Sequence, residues 1–404
     1  MKGAIFRLVL LVSSAHALVH VYELAYPSVE QLVAATFRVD ERVSGALGAC
    51  WRLPFGLFAV FAGWLTDRYG AKRTLVGYLL GCSLTSLLAA AAPDLWWLFI
   101  AFFLMGTFAS VYHPAGLALI SHAVPAEDHP RALSIHGIFG SVGIAVAPFL
   151  AAPVLSAGAG WRTYFALLSL PGVALGVVFL LALHDRWSPA ARGKSSPEAE
   201  PSPGTFLARQ YCVTLLIIIL GGLIYGATMT FMPRYLDDTG LSQRLAIPPA
   251  GMRNYLTAGV LLLGAGGQYL AGRIARSNTL QPCLAATYLL MAPCLLWMGV
   301  AEQTGRIAAA AAFSVVFFMS QPVYNSLIPK YVPPARRSLG YGFSFVVNFG
   351  IGSSLGALFS GMAYRWQLFN YGTLAVAAAL GGLLALLLWA MDRSTPDLFR
   401  AENR

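Results

Sequence analysis

Twelve long apolar runs separated by short polar segments are the feature that most restricts the fold of this 404-residue chain. A helix needs about 20 apolar residues to cross a bilayer core about 30 Å thick at 1.5 Å rise per residue. Only 11% of the residues are charged, against roughly a quarter in soluble domains, so most of the chain is expected to lie in a lipid bilayer. Helices that span the membrane are predicted at 5–36, 43–65, 73–92, 95–123, 132–155, 161–183, 211–235, 254–275, 280–300, 307–329, 339–362 and 366–390.

A polar segment divides these predicted helices into two groups of six. Residues 185–210 are rich in proline, serine and basic side chains, a composition that cannot bury a core and is typical of a flexible linker. We therefore predict an all-α membrane protein with one six-helix bundle at 1–184, a cytoplasmic linker at 185–210 and a second six-helix bundle at 211–404.

Lysine and arginine are distributed unequally between the two sides of the predicted membrane. If the N-terminus is cytoplasmic, that side carries 18 of them and the other side carries 8. The excess predicts that both termini are cytoplasmic. The lysine and arginine residues lie in short clusters between the apolar runs. This arrangement explains the net charge of +10, so the charge does not indicate nucleic-acid binding.

The two halves of the chain share an internal repeat. Segment 113–125 recurs at 321–333 with a constant offset of 208 residues, and both segments hold a proline at the second position, a Leu-Ile pair and a terminal Val-Pro. Repeats of this kind are common in membrane transporters, where they place two related bundles around one site.

The loop after the second predicted helix carries a recognisable motif. It reads Gly-Trp-Leu-Thr-Asp-Arg-Tyr-Gly-Ala-Lys-Arg from Gly63 to Arg73, which resembles the G-x-L-x-D-R-x-G-x-[RK]-[RK] signature of the major facilitator superfamily. The resemblance implies two six-helix bundles related by a pseudo-two-fold axis, a small-molecule substrate and a conformational switch at Gly63, Asp67, Arg68, Gly70 and Arg73. An ordinary basic cytoplasmic loop is the alternative.

The fifth predicted helix carries a second motif, Gly143-x-x-x-Ala147-Pro148, which is similar to the motif of that superfamily's proton-coupled exporters. A helix-packing seam of small residues explains the same pattern. Phe102 stands four residues before Gly106, where drug exporters have an arginine, so their proton relay is not carried over. Segment 111–116 and the histidine-rich first helix resemble the fosmidomycin-resistance branch of exporters.

Ionisable residues at membrane depth are expensive and usually functional. The first helix carries His16, His20, Glu23 and Glu30, at spacings that place them on one helical stripe facing protein or a water-filled cavity. Glu30 lies nearer the predicted outer surface, and we expect it to be solvated.

Arg52 in the second helix and His113 in the fourth are predicted at similar depths, so that the first, second and fourth helices surround one central site. We predict that Glu23 takes up and releases a proton together with His16, His20 or His113, because histidines and desolvated carboxylates exchange protons near neutral pH. Arg52 then either binds an anionic substrate or forms a permanent ion pair with Glu23.

Two other groups of polar residues complete the prediction. His136, near the inner end of the fifth helix, is expected to be a packing residue or a gate. The second half has no acid or base in mid-helix, and its neutral polar groups suit hydrogen bonds to a substrate or between helices. The substrate-binding candidates there are Tyr225, Gln321, Tyr324, Asn325 and Asn348.

The sequence therefore predicts a secondary transporter of the bacterial inner membrane, acting as a monomer without a cofactor or metal. It is expected to export a small amphiphilic or anionic molecule in exchange for protons, as drug-efflux proteins do. An organic-anion uptake symporter is the first alternative. A metal carrier using the i, i+4 pair His16 and His20 is another, and a membrane-embedded enzyme or a non-transporting receptor is disfavoured.

Overall fold

The computed structural model describes residues 3–183, 206–276, 278–333 and 336–394. Nearly all of these residues are helical. Most of the predicted linker, from 184 to 205, lies outside the described residues. The first six spans are span 1 (Gly3–Phe37), span 2 (Glu41–Leu57 and Ala59–Tyr69), span 3 (Ala71–Ala90), span 4 (Leu95–Ala109 and Tyr112–Ala123), span 5 (His129–Ser156) and span 6 (Trp161–Ala182). The other six are span 7 (Ala208–Tyr235), span 8 (Pro249–Ile274), span 9 (Leu280–Val300), span 10 (Gly305–Tyr331), span 11 (Arg337–Phe345, Val346–Ser353 and Ser354–Ala363) and span 12 (Gln367–Arg393).

Length and composition make these helices suitable for crossing a membrane. In the described part of the chain, ten helices are long and apolar enough, and span 2, whose two segments meet at 48°, makes an eleventh. Span 8 is less apolar, but its 26 residues extend about 39 Å, which exceeds the thickness of a bilayer core. The predicted all-α membrane fold is confirmed, and the boundaries agree within a few residues.

Contacts between helices repeat with a shift of six spans. Span 1 packs on span 5 as span 7 packs on span 11, span 2 packs on span 4 as span 8 packs on span 10, and span 3 packs on span 6 as span 9 packs on span 12. Between the halves, span 2 packs on span 11 and span 5 on span 8. Exchanging the two halves turns the pair of spans 2 and 11 into the pair of spans 8 and 5. A pseudo-two-fold axis produces this pattern.

Several spans are interrupted near the middle of the bundle. Span 4 breaks between Ala109 and Tyr112 because Pro114 has no N–H for the carbonyl of Ser110 and its ring crowds that oxygen. Span 11 contains a π-helical segment at Val346–Ser353, a feature that is frequent at functional sites. These interruptions place irregular backbone beside the centre of the molecule, where other helices cover it.

Backbone contact between spans 2 and 11 joins the two halves. A Cβ atom added to Gly56 would lie 2.0 Å from the backbone nitrogen of Gly350. No side chain fits there, so the glycines let the helices touch. Close contact matters because helices in a membrane associate largely through van der Waals packing.

We predict that Gly56→Ala destabilises the protein, because the added methyl group forces spans 2 and 11 apart. Overpacking of this kind costs about 1–3 kcal/mol. Thermal unfolding in detergent measures the effect. Gly77→Ala is the matched control, since a Cβ atom at Gly77 has no neighbour within 4 Å, and it should leave the Tm unchanged or slightly raised. Equal Tm values for the two variants would contradict the predicted role of this contact.

Candidate functional site

Four histidines from three spans meet inside the first half, and we name them the histidine cluster: His16, His20, His113 and His136. The ring centroid of His16 lies 5.0 Å from that of His20 and 5.1 Å from that of His113. His136 stacks on His16 with 3.9 Å between the ring centroids. Three members were predicted to be functional, and His136, predicted as a packing residue or a gate, lies among them.

Hydrogen bonds fix the orientation of two of these rings. Nδ1 of His16 is 2.7 Å from the carbonyl oxygen of His136, which only accepts, so Nδ1 carries the proton. The Tyr112 hydroxyl donates to the carbonyl of Val12 at 2.7 Å. It therefore accepts from Nε2 of His136, 3.0 Å away. In the described part of the chain, Nε2 of His16 and Nε2 of His113 are buried without a hydrogen-bond partner.

Glu23 is connected to this cluster through His20. Its carboxylate oxygen Oε2 accepts a hydrogen bond from Nδ1 of His20 at 2.8 Å, and both side chains are buried. The other oxygen, Oε1, has no hydrogen-bond partner among the described residues. The structure thus joins the predicted proton-exchanging groups, with half of the Glu23 carboxylate left unsatisfied.

Arg52 lies near enough to Glu23 to interact with it electrostatically, and no salt bridge joins the two side chains in the described part of the chain. The side chain is 1% exposed, and its Nη1 atom donates to the carbonyl oxygen of Gly48, 3.2 Å away. Its Nε and Nη2 atoms, like the hydroxyl of Tyr225, have no hydrogen-bond partner among the described residues. Glu23, Tyr26 and Tyr225 are near enough to interact with it electrostatically. Buried unsatisfied donors are rare and costly, at about 1–3 kcal/mol each or more for charged groups, so this set requires a ligand or water.

The substrate candidates of the second half are mostly occupied by contacts between helices. Gln321 accepts a hydrogen bond from Gln268 at 3.0 Å, which links spans 8 and 10. Asn348 donates to the hydroxyl of Tyr324 at 3.3 Å. At Asn325 the backbone carbonyl accepts a bond from Tyr341. The Tyr225 hydroxyl faces Glu23 but makes no hydrogen bond of ordinary length within the described part of the chain, and its ring stacks on that of Phe317.

An ion-pair network closes the end of the bundle that the sequence predicts to be outside. Arg234 at the end of span 7 makes two bonds of 2.9 Å to Glu30 of span 1 and one of 3.2 Å to Glu41 of span 2. Arg365 pairs with the same Glu41 at 3.2 Å. Gln31 donates to Asp237 at 3.1 Å. All of these contacts connect one half of the chain with the other.

The prediction that Glu30 is solvated is wrong. Glu30 is 2% exposed, because the Arg234 guanidinium binds both of its carboxylate oxygens in a bidentate pair. Sequence reasoning missed this pair, which joins residues 204 positions apart. The available signal was the arginine in the last turn of span 7.

The predicted switch motif connects spans 2 and 3. Gly70 has φ of 84° and links the two helices directly, a conformation that favours glycine. Gly63 has no close neighbour, since a Cβ atom there would lie 4.0 Å from Pro114. Asp67, Arg68 and Arg73 stand on this exposed surface, with the Arg68 guanidinium over the Trp64 ring. The segment of span 2 that carries the motif contacts the start of span 11 in the other half.

The second motif lies at the contact between spans 1 and 5. A Cβ atom at Gly143 would lie 2.3 Å from the backbone oxygen of Ala17, so the two helices touch there. Pro148 lies inside span 5 without ending it. The position of Gly143 is that of a packing residue, which is one of the two readings that the sequence allows.

The chain is similar to known membrane transporters along most of its length. The family model of the Major Facilitator Superfamily matches residues 18–357. The fosmidomycin resistance protein of Escherichia coli is 25% identical over 361 residues, 87% of this chain and 84% of that protein. The 3-(3-hydroxy-phenyl)propionate transporter of the same organism is 27% identical over 357 residues, 86% and 83%. The solved structure of a bacterial homologue of the human lysosomal transporter Spinster has a TM-score of 0.75 at 15% identity, covering 96% of this chain and 95% of that one.

We predict that Glu30→Gln loosens the closed end of the bundle, because Arg234 loses its bidentate partner. Removing one member of a buried ion pair costs about 3–5 kcal/mol. Hydrogen exchange in nanodiscs is expected to speed up at the ends of spans 1 and 7. Asp238→Asn is the control, since Asp238 is 78% exposed and pairs with Arg306 within one half. Unchanged exchange in Glu30→Gln would show that the network does not hold the halves together.

Proposed function

Because this chain belongs to the major facilitator superfamily, we propose that it is a proton-coupled symporter of a small organic anion, which binds at Arg52. Transport of a small molecule across the membrane is the activity of the family. The geometry around Arg52 supports the choice of an anion. The proximity of Glu23 supports the choice of symport.

The unsatisfied Arg52 guanidinium is the observation that carries the proposal. A carboxylate or phosphonate accepts two hydrogen bonds from a guanidinium in parallel geometry, and Nε and Nη2 of Arg52 are the two free donors. The neighbouring hydroxyl of Tyr225 supplies a third. Aromatic rings of Phe317 and Phe349 lie against Tyr225 and suit the apolar body of such a molecule.

Glu23 couples the anion to a proton through electrostatic repulsion. An anion about 6 Å from an ionised carboxylate is repelled by about 3 kcal/mol at an effective dielectric constant of 20, which is about a hundredfold in affinity. Protonation of Glu23 removes that repulsion, so the proton and the anion bind best together. His20 holds Glu23 through a hydrogen bond, and the rings of His16 and His113 lie next to that of His20.

An exporter that exchanges its substrate for protons is the second candidate function. The name of the fosmidomycin resistance protein supports it, as does the motif with Gly143 and Pro148 in span 5. The propionate transporter, whose named compound is a carboxylate, supports an organic anion as the substrate. In the symporter the proton crosses the membrane in the same direction as the substrate. In the exporter the proton crosses in the opposite direction.

Alternating access of the two bundles, 1–184 and 211–404, completes the proposal. We place the protein in a bacterial inner membrane as a monomer with both termini in the cytoplasm, in keeping with the distribution of lysine and arginine. The ion pairs of Arg234 then close the outer side, and the motif from Gly63 to Arg73 meets span 11 on the inner side. Opening the outer side requires these ion pairs to break.

Proteoliposomes test the proposal by reporting lumenal pH after an organic anion is added outside. Phosphonates and sulfonates are the main probes because they stay ionised and do not carry protons through the lipid, and neutral amides are the negative controls. Wild-type protein is expected to acidify the lumen with at least one anion. Alkalinisation would instead identify the exporter, and no pH change relative to empty liposomes with any anion would refute both functions.

Two substitutions assign the roles within the site. Arg52→Gln should lower anion uptake by about a hundredfold, since a buried bidentate partner is lost. Glu23→Gln resembles the protonated carboxyl group, so it should keep the exchange of labelled for unlabelled anion while losing acidification. Wild-type acidification by either variant would remove that residue from the mechanism. Gln281→Ala, which breaks the bond to the Tyr331 hydroxyl within the second half, is the control for stability.

A further inference from the structure

The histidine cluster has a geometry that neither anion binding nor helix packing requires. One ring nitrogen each of His16, His20 and His113 lies within 4.8 Å of the other two. His16 and His20 come from span 1, and His113 comes from span 4, at least 93 positions away in the sequence. We propose that His16, His20 and His113 bind a divalent transition-metal ion of the zinc type through their Nε2 atoms.

The hydrogen bonds of the rings select Nε2 as the free nitrogen. Nδ1 of His16 donates to the carbonyl of His136, and Nδ1 of His20 faces the Glu23 carboxylate at 2.8 Å. A neutral imidazole that carries its proton on Nδ1 has its lone pair on Nε2. In the described part of the chain, Nε2 of His16 and Nε2 of His113 are buried without a partner, and His16 is only 7% exposed.

The surroundings resemble the outer shell of a metal site. Histidine ligands of metals commonly donate their second ring N–H to a carboxylate or a backbone carbonyl, which fixes the ring and strengthens the bond to the metal. Glu23 supplies the carboxylate for His20, and His136 supplies the carbonyl for His16. Gly140 makes room for the His16 ring, because a Cβ atom there would lie 2.3 Å from Cε1 of His16.

The donor set restricts the metal and its coordination. Imidazole nitrogens suit Zn²⁺, Cu²⁺, Ni²⁺ and Co²⁺, whereas Ca²⁺ and Mg²⁺ prefer oxygen ligands. Zinc–nitrogen bonds of about 2.0–2.1 Å in a tetrahedron separate the ligand atoms by about 3.4 Å. The three nitrogens lie within 4.8 Å of one another, so each pair must approach by at most about 1.4 Å to bind zinc. Three protein ligands leave a fourth position for water or an anion. His113 is half-buried, whereas His16 and His20 are buried.

Metal titration tests this proposal without measuring transport and without assuming proton coupling. The protein is purified with a histidine-free tag, treated with chelator and titrated with Co²⁺, whose visible absorption reports coordination geometry. We expect one ion per chain with the spectrum of a tetrahedral site, displaced by Zn²⁺. Removing a ligand in His113→Ala or His16→Ala should weaken binding at least about tenfold. His122→Ala is the control, since His122 is exposed and bonds to Ala118 within its own span.

Two further measurements keep the test decisive if a ligand variant does not fold. Gly140→Ala retains every ligand and should weaken Co²⁺ binding by displacing the His16 ring. X-ray absorption at the zinc edge of the wild-type protein should show three imidazole ligands. A wild-type protein that binds no Co²⁺ at millimolar concentration, an octahedral Co²⁺ spectrum, or equal binding by His113→Ala and wild type would overturn the proposal.

Discussion

The Arg52 guanidinium is almost completely buried among apolar helices with two of its nitrogens unpaired. A charge at membrane depth is costly unless partners replace the water that it loses. Its neighbours, Glu23 and Tyr225, also have unsatisfied oxygens. The free-energy cost of burying polar atoms without hydrogen bonds is therefore concentrated in this one region. Such a region is stable only because the surrounding helices are held together elsewhere. It also favours any molecule that supplies the missing hydrogen bonds, and this connects the energetics of the fold with a binding site.

Contacts of two kinds hold the halves around that site. Glycines at the crossing of spans 2 and 11 bring backbones together, and this packing does not depend on water or pH. The ion pairs of Arg234 with Glu30 and Glu41 join the halves through charged groups, which water solvates readily when they separate. An interface that combines a tight backbone contact with a breakable polar one suits a protein whose halves move relative to each other. In the proposed alternating access, the backbone contact is the pivot and the polar contact is the part that opens.

Local properties of the chain explain which features could be predicted from the sequence. The bounds of spans 9 and 10, for example, follow from runs of apolar residues and from loop residues that break them, and both are read within a window of about 20 positions. The stripe of His16, His20 and Glu23 follows from the helical period alone. The break in span 4 also has a local cause in Pro114. The errors concern groups whose surroundings come from distant segments, such as Glu30, which was expected to meet water and instead meets Arg234.

The sequence by itself determined the membrane class, the count and limits of the spans, the repeat between the halves and the polar face of span 1. These depend on hydropathy and on a fixed rise and period per residue, which each segment carries in its own composition. Only the tertiary structure decided that His113 and His136 meet His16 and that two Arg52 nitrogens have no hydrogen-bond partner among the described residues. Those contacts depend on how each helix is rotated and how closely it approaches its neighbours. Glycines such as Gly140 and Gly143, more than 120 positions from His16 and Ala17, set both quantities, and the local sequence does not show which helix each of them contacts.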